Sequence, residues 1–111
     1  MLRDLLSRNQ SIAPHHMPAE ASNILRRIQL RGEISASVAS LAHLDLQALS
    51  VGLVPYHSFA LRSWELRQNL SIYDAAYVAL AEGLGLPLAT LDMKMVRAPG
   101  PCCEFLVPPG P

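Results

Sequence analysis

The chain has 111 residues, of which half are hydrophobic and 16% are charged, and its formal net charge is zero. This length accommodates one domain at most, and the hydrophobic content excludes a disordered chain. A neutral chain has no global electrostatic attraction to nucleic acid, although bound cations or local arginines could supply a positive field. Because we find neither an apolar run of membrane-spanning length nor a signal-peptide pattern, we expect a cytoplasmic protein.

Helical and strand-like patterns alternate along the chain. The predicted helices cover, in chain order, residues 2–9, 17–31, 35–50, 59–68, 71–83 and 92–96. The predicted strands cover residues 11–13, 51–55, 86–91 and 104–107. Strands separated by helices predict an α/β fold with a parallel sheet flanked by helices. We expect a single domain over residues 1–107 and a flexible tail at 108–111.

Three carboxylates stand at places where a predicted helix begins or a strand ends, namely Glu20, Asp74 and Asp92. Each has a local explanation. Glu20 suits the positive end of a helix dipole, Asp74 follows Ser71 in a variant capping box, and Asp92 could be the N-cap of the next helix. Ligands of open parallel sheets bind outside the carboxyl ends of the strands. Together, the three acids therefore predict a Mg²⁺ or Mn²⁺ site at one sheet edge.

Two arginines lie close in sequence to these acidic segments. Arg67 and Arg97 could contact RNA phosphates, or they could be ordinary solvated surface residues.

One long stretch carries a family resemblance. Residues 64–82, which end in YDAAYVALAE, are followed by TLD at 90–92, and this pairing resembles the C-terminal half of a PIN domain. It is most similar to the VapC toxins of bacterial toxin–antitoxin pairs. Residues 13–27 resemble the helix of these toxins that bears a second acid, namely Glu20 here.

The resemblance implies a three-layer α/β/α PIN-like fold and a toxin that is a metal-dependent endoribonuclease. Its cofactor would be Mg²⁺ or Mn²⁺, and a cognate VapB-type antitoxin would hold it inactive. By position, Glu20, Asp74 and Asp92 would be three of the four acids of the family's catalytic and metal site. Thr90 matches a polar residue near the site, so we expect it to contact substrate. A homodimer, or a complex with antitoxin, is also expected.

The sequence departs from this family at its beginning. Members open with a hydrophobic strand that ends in an aspartate and lies in the middle of the sheet, and no such strand precedes Ser11. Asp4 cannot replace that aspartate, because it lies inside a helix-like run. We expect a misassigned start codon, a truncated gene, or strands that close up without the central one. Translating the DNA upstream of Met1 distinguishes the first explanation from the others.

The sequence is also compatible with two other classes of function. A catalytically inactive, truncated PIN-like protein could bind an antitoxin or another partner through an apolar groove. A phosphorelay receiver domain also places acids at strand ends, but it would need an acidic pair after the first strand and a lysine after a late one. The sequence shows neither, since Lys94 follows Asp92 too closely.

Overall fold

The computed structural model describes residues 11–90, 92–107 and 109. The helix predicted at residues 2–9, with Asp4, lies outside the described residues, as do Leu91 and all of the predicted tail except Pro109. The chain divides into two compact units, the first extending to Leu53 and the second beginning at Val54.

The first unit contains two short strands and two helices. In chain order these are β1 (Ser11–Pro14), α1 (Met17–Leu30), α2 (Ala36–Ala48) and β2 (Val51–Val54), whose last residue is the first of the second unit. Strands β1 and β2 are hydrogen-bonded to each other in a two-stranded sheet. Pro18 occupies the first turn of α1, where its missing N–H has no helical partner to lose. The backbone turns between the helices at Gly32, whose positive φ of 79° suits glycine.

Few side chains of this helical pair are buried. Ala39 is the buried residue of α2, and α1 has none. Several large apolar side chains of the two helices and their flanks are exposed instead, namely Ile24, Leu30, Val38, Leu41, Leu44 and Leu49. Much of the apolar surface of the two helices is therefore in contact with solvent.

The second unit contains the remaining elements. A 3₁₀ helix (Tyr56–Phe59) leads into α3 (Ala60–Glu65), and α4 (Ile72–Leu84), β3 (Leu88–Ala89), α5 (Met93–Arg97) and β4 (Phe105–Leu106) follow. The single helix predicted at 59–68 is therefore wrong in detail. Phe59 has φ −139° and ψ 26°, which interrupts the α-helical backbone, and α3 ends at Glu65.

Helix α4 is the most buried element of this unit. Ser71 caps its start, as predicted, since its hydroxyl oxygen accepts a hydrogen bond from the Asp74 N–H at 3.1 Å. The predicted end at Gly83 is wrong by two positions, because Gly85 is the residue that adopts the left-handed conformation, with φ 65°. Six residues of α4 are buried: Ala75, Ala76, Val78, Ala79, Leu80 and Ala81.

The core of the second unit joins helix α4 to the segments that follow it. Its fully buried members are Leu66, Ala75, Val78 and Met95, and its partly buried members are Leu70, Leu88, Cys103 and Phe105. Strands β3 and β4 are parallel, with Leu88 opposite Phe105 and Ala89 opposite Leu106. Helices combined with parallel strands confirm the predicted α/β class. Both strands are shorter than expected, and Pro87, which lacks an N–H to donate, precedes β3.

Candidate active site

Asp92 lies between β3 and α5, and its side chain caps that helix. The Oδ1 atom accepts hydrogen bonds from the N–H groups of Lys94, at 2.9 Å, and Met95, at 3.4 Å. Aspartate is among the best N-cap residues because it satisfies N–H groups that have no helical partner. Both bonds use Oδ1, so the other carboxylate oxygen of this exposed side chain can face a ligand. Capping and ligand binding are therefore compatible at this residue.

Thr90 positions the backbone of Asp92. The Thr90 hydroxyl oxygen accepts a hydrogen bond from the Asp92 N–H at 3.0 Å, while the Thr90 N–H donates to the Leu106 carbonyl oxygen at 3.0 Å. Met95, one turn into α5, is 6% exposed and packs in the core. The segment is thus held by a strand pair before Asp92 and by a buried side chain after it. The predicted contact of Thr90 with substrate stays a prediction.

Asp74 lies in the first turn of α4, half-buried, and its backbone N–H is the donor to the Ser71 cap. The next two residues, Ala75 and Ala76, are fully buried, which fixes the direction in which this turn leaves the core. The negative charge lies at the positive end of a 13-residue helix, where the helix dipole stabilises it. Asp74 and Asp92 therefore each occupy the start of a helix in the second unit.

Glu20 belongs to the first unit, in the first turn of α1. Its Oε1 atom lies 3.4 Å from Nε2 of His16, four residues earlier, and its side chain is partly exposed. Its N–H donates to the His16 carbonyl oxygen at 3.1 Å. Both the helix-dipole position and the neighbouring imidazole are local features of this turn, so the part of Glu20 in a common site remains a prediction.

The two predicted substrate-binding arginines are exposed. The Arg67 guanidinium lies 4.4 Å from the centre of the Trp64 ring, and its NH1 atom donates to the Trp64 carbonyl oxygen at 2.8 Å. A cation over an exposed indole is a stable, flat, positively charged surface. Arg97 ends α5, where a positive charge suits the helix C-terminus. Contact of either residue with RNA stays a prediction.

The second unit also contains a polar cluster that no sequence pattern indicates. Arg62 in α3 forms a bidentate ion pair with Glu82 in α4, with N–O distances of 2.7 Å from Nε to Oε1 and 3.2 Å from NH2 to Oε2. Arg62 NH2 also donates to the Gly100 carbonyl oxygen at 2.9 Å, and the Cys102 N–H donates to Glu82 Oε2 at 2.6 Å. We call these four residues the clamp. No spacing rule connects positions 62, 82, 100 and 102, although Glu82 closes the motif that carries the family resemblance.

Charge within the clamp shifts the pKa of both partners. The hydrogen bonds from Arg62 lower the pKa of Glu82 below its usual value, against the opposing effect of burial. The same contact raises the pKa of Arg62, so this guanidinium stays charged under all ordinary conditions. Burial raises the pKa of the neighbouring Cys103 thiol, and the charge of Glu82 adds to that effect. The clamp is therefore a permanent ion pair at neutral pH.

The donor chemistry of the predicted acids suits a hard divalent cation, since Glu20, Asp74 and Asp92 all offer carboxylate oxygens. Among the described residues, however, no three His, Cys, Asp or Glu side chains are grouped so that they could hold a metal ion. What the second unit provides is a pair of helix-start carboxylates, one of them fixed at the end of a parallel strand. Asp92 follows a strand of a parallel pair, and ligands of open α/β sheets bind outside such strand ends.

Comparison with known proteins identifies the family. Ribonuclease VapC1 of Mycobacterium tuberculosis is 42% identical over 106 residues, which cover 95% of this chain and 80% of that protein. The VapC ribonuclease Mb0985 of Mycobacterium bovis is 35% identical over 96% of this chain and 84% of its own length. Ribonuclease VapC12 of M. tuberculosis is 35% identical over 84% of this chain and 72% of its own length. The sequence matches no protein-family model.

These relatives settle the class, and the chain belongs to the VapC ribonuclease family. The resemblance seen in the sequence is thereby confirmed, together with the PIN-like α/β fold class that it implied. In the part of the chain that the structure describes, no helix is long and apolar enough to cross a membrane.

Proposed function

We propose that this chain is an endoribonuclease that hydrolyses RNA phosphodiester bonds with the help of Mg²⁺ or Mn²⁺, and that it is the toxin of a toxin–antitoxin pair. The observation that carries the proposal is the 42% identity to Ribonuclease VapC1 over 95% of the chain. The names of these relatives favour catalysis over the alternative of a non-catalytic partner-binding protein.

The carboxylates of Asp74 and Asp92, at two helix starts of the second unit, would bind the cation, and the part of Glu20 rests on the sequence resemblance alone. When bound, such an ion supplies Lewis-acid stabilisation of the phosphate charge and acidifies water. Asp92 is suited to this task because its two cap bonds keep the carboxylate in one orientation without consuming Oδ2. Asp74 is suited because the Ser71 cap and its buried neighbours hold the first turn of α4 in place. Preorganised charge of this kind is the main catalytic resource of phosphoryl-transfer sites.

Arg67 and Arg97 would attract the RNA backbone. The chain has no net charge to draw in a polyanion, so local cations must do so. The Arg67–Trp64 stack offers a phosphate contact beside an exposed ring on which a base can stack. Lowering the salt concentration should therefore strengthen RNA binding, and substituting both arginines should weaken it for all sequences alike.

The first unit would bind a cognate VapB-type antitoxin. Helices α1 and α2 form an open, shallow apolar groove of about 370 Å³, lined by Ala21, Ile24, Leu25, Ala42, Asp45, Leu46 and Leu49. An amphipathic helix fits such a groove with its apolar face. A homodimer would be a second means of covering the exposed leucines of this unit.

A cleavage assay with matched variants tests the catalytic proposal. We expect structured RNA to be cut with Mn²⁺, and the cleavage to be abolished by EDTA and by Asp92→Asn. Asparagine is as good an N-cap as aspartate, so this change removes charge while the fold is retained. Glu33→Gln, the matched carboxylate-to-amide change at an exposed position of the first unit, should cleave like the wild type. Equal cleavage in EDTA, or an unimpaired Asp92→Asn variant, would exclude the metal mechanism.

A further inference from the structure

The segment that carries Asp92 forms a closed loop on the surface of the second unit. It leaves β3 at Ala89, passes through Asp92 and α5, and returns at β4, which pairs with β3. The loop is closed at its base by two hydrogen bonds, from Leu88 N–H to the Glu104 carbonyl oxygen at 2.8 Å and from Thr90 N–H to the Leu106 carbonyl oxygen at 3.0 Å. Because β3 and β4 have only two residues each, this ladder alone is a weak support.

The clamp supplies a second support on the returning half of the loop. Arg62 holds the Gly100 carbonyl oxygen and Glu82 holds the Cys102 N–H, so two backbone groups only two residues apart are bound by charged side chains of α3 and α4. Hydrogen bonds to charged groups are roughly twice as strong as neutral ones. The side-chain amide of Asn69 adds a third contact, at 3.2 Å from the Pro99 carbonyl oxygen.

The Glu82 carboxylate lies where its hydrogen bonds to the returning segment and to Arg62 are partly shielded from water. Its side chain is 16% exposed, so competition from water is limited, while Glu65, which also contacts Arg62, is 65% exposed and lies 3.4 Å from NH1. Both helices that bear the clamp are tied to the core, since Leu66 directly follows α3 and Val78 lies one turn before Glu82. The returning segment is thus attached to the buried core of the unit.

We propose that Arg62 and Glu82 are positioning residues for Asp92: by binding Gly100 and Cys102, they set where the loop places the Asp92 carboxylate. This inference rests on the proposed function for what Asp92 does, but the geometric link is independent of it. Groups that orient a metal ligand from outside typically contribute 10- to 100-fold to metal affinity or activity. Since the clamp acts through several backbone bonds, we expect an effect of about 10-fold, at the lower end of that range.

The experiment compares Glu82→Gln with Glu65→Gln in the full chain. Both changes remove one carboxylate partner of Arg62, but only Glu82 also holds the Cys102 N–H. The first readout is hydrogen exchange of the Lys94 and Met95 amides, which Asp92 caps, without metal. The second is the Mn²⁺ concentration at half-maximal RNA cleavage. Both are measured at a temperature where every variant is fully folded.

We expect Glu82→Gln to accelerate exchange at Lys94 and Met95 and to raise the half-maximal Mn²⁺ concentration about 10-fold, with the rate at saturating Mn²⁺ largely recovered. Glu65→Gln should change neither readout. If Glu82→Gln instead lowers the rate equally at all Mn²⁺ concentrations and accelerates exchange across the whole second unit, its role is merely structural and the proposal is wrong. An equal Mn²⁺ shift in Glu65→Gln would also overturn it.

A variant with the two charges exchanged tests whether the Arg62–Glu82 pair positions the loop or only attaches α3 to α4. In the double variant Arg62→Glu with Glu82→Arg, the ion pair between α3 and α4 can form again. A glutamate at 62 cannot donate to the Gly100 carbonyl, however, and an arginine at 82 cannot accept from the Cys102 N–H. We expect the double variant to regain stability but not the wild-type Mn²⁺ dependence, and recovery of both would contradict the proposal.

The two proposals fail in different ways. If the wild type shows no Mn²⁺-dependent cleavage, the proposed function has failed, and the exchange rates of Lys94 and Met95 still decide whether the clamp positions Asp92. If the wild type cleaves and loses activity in Asp92→Asn while Glu82→Gln behaves like Glu65→Gln, only the positioning role is excluded.

Discussion

The first and second units use their helices differently. In the second unit, the 13 residues of α4 contribute six buried side chains to a core that also includes Leu66 and Met95. In the first unit, the 14 residues of α1 and the 13 of α2 contribute one, Ala39. Buried apolar area stabilises a fold by about 25 cal/mol per Å². The second unit therefore carries most of its stability within itself, and the first presents apolar surface that a partner could cover.

This contrast agrees with the proposed roles of the two units, which are the charged site in the second and partner binding in the first. A site that must hold charge in place needs a rigid base, and Asp74 and Asp92 both project from the well-packed unit. A surface that must bind an antitoxin or a second copy needs exposed apolar side chains, and the α1–α2 pair has them. The unit that would bind a partner is thus the one least stabilised without it.

Leucine truncation tests this contrast most strongly. Leu66→Ala removes a side chain that is 3% exposed, and we expect it to lower the free energy of unfolding of the second unit by about 2–5 kcal/mol. Leu41→Ala removes one that is 63% exposed, and it should cost no more than about 0.5 kcal/mol. Urea unfolding followed by amide hydrogen exchange in each unit measures both. Similar losses for the two variants would show that the first unit has a core of its own.

The ion pairs of the two units sharpen the comparison. The Arg62–Glu82 pair is half-buried and bidentate, so Glu82→Gln should cost about 1.5–3 kcal/mol. The Arg31–Glu33 pair of the first unit has side chains 60% and 57% exposed and a distance of 3.4 Å, so Glu33→Gln should cost less than about 1 kcal/mol. Thermal unfolding of the two single variants measures the difference, and equal costs would show that burial does not strengthen the clamp.

The clamp should make the stability of the protein depend on pH in the acid range. The folded-state pKa of Glu82 is lowered, so its stabilising effect is complete above the unfolded value of about 4.3 and is lost as pH falls through the lowered folded value. Stability should therefore decrease below about pH 4.3 in the wild type, and less steeply in Glu82→Gln. Unfolding midpoints from pH 6 down to about pH 3 measure this slope. An identical slope in both proteins would mean that Glu82 is not the group responsible.

Sequence patterns predicted the helices well where local chemistry decides. Met17–Leu30 starts as predicted and ends within a residue of the expected position, and the Ser71 and Asp92 caps are as expected. They failed where backbone geometry intervened, as in the helix predicted at 59–68, which starts one residue later than expected, at Ala60, and already ends at Glu65. The end of α4 was missed because Gly83 and Gly85 are equivalent as sequence signals, and only the left-handed turn distinguishes them.

Some residues of the candidate site could be predicted from the sequence and others could not. Glu20, Asp74 and Asp92 could be selected because each occupies a helix start that spacing rules recognise. Arg62 and Glu82 could not, because their 20-residue separation corresponds to no periodicity and they hold Gly100 and Cys102 mainly through backbone atoms. Contacts between a side chain and a distant main chain depend on the folded path of the segment, which no local pattern encodes.

Removing a helix cap should have the smallest effect, and here we expect the two units to behave alike. Ser35 and Ser71 accept the same bond, from Val38 N–H and Asp74 N–H respectively, each at 3.1 Å, and both are exposed. Because a cap acts within one turn, Ser35→Ala and Ser71→Ala should each cost about 1 kcal/mol, whatever the burial of the helix behind them. Hydrogen exchange at the Val38 and Asp74 amides measures the loss. If Ser71→Ala cost much more than Ser35→Ala, the cap of α4 would be coupled to the core, and the rigidity of the second unit would extend to the turn that carries Asp74.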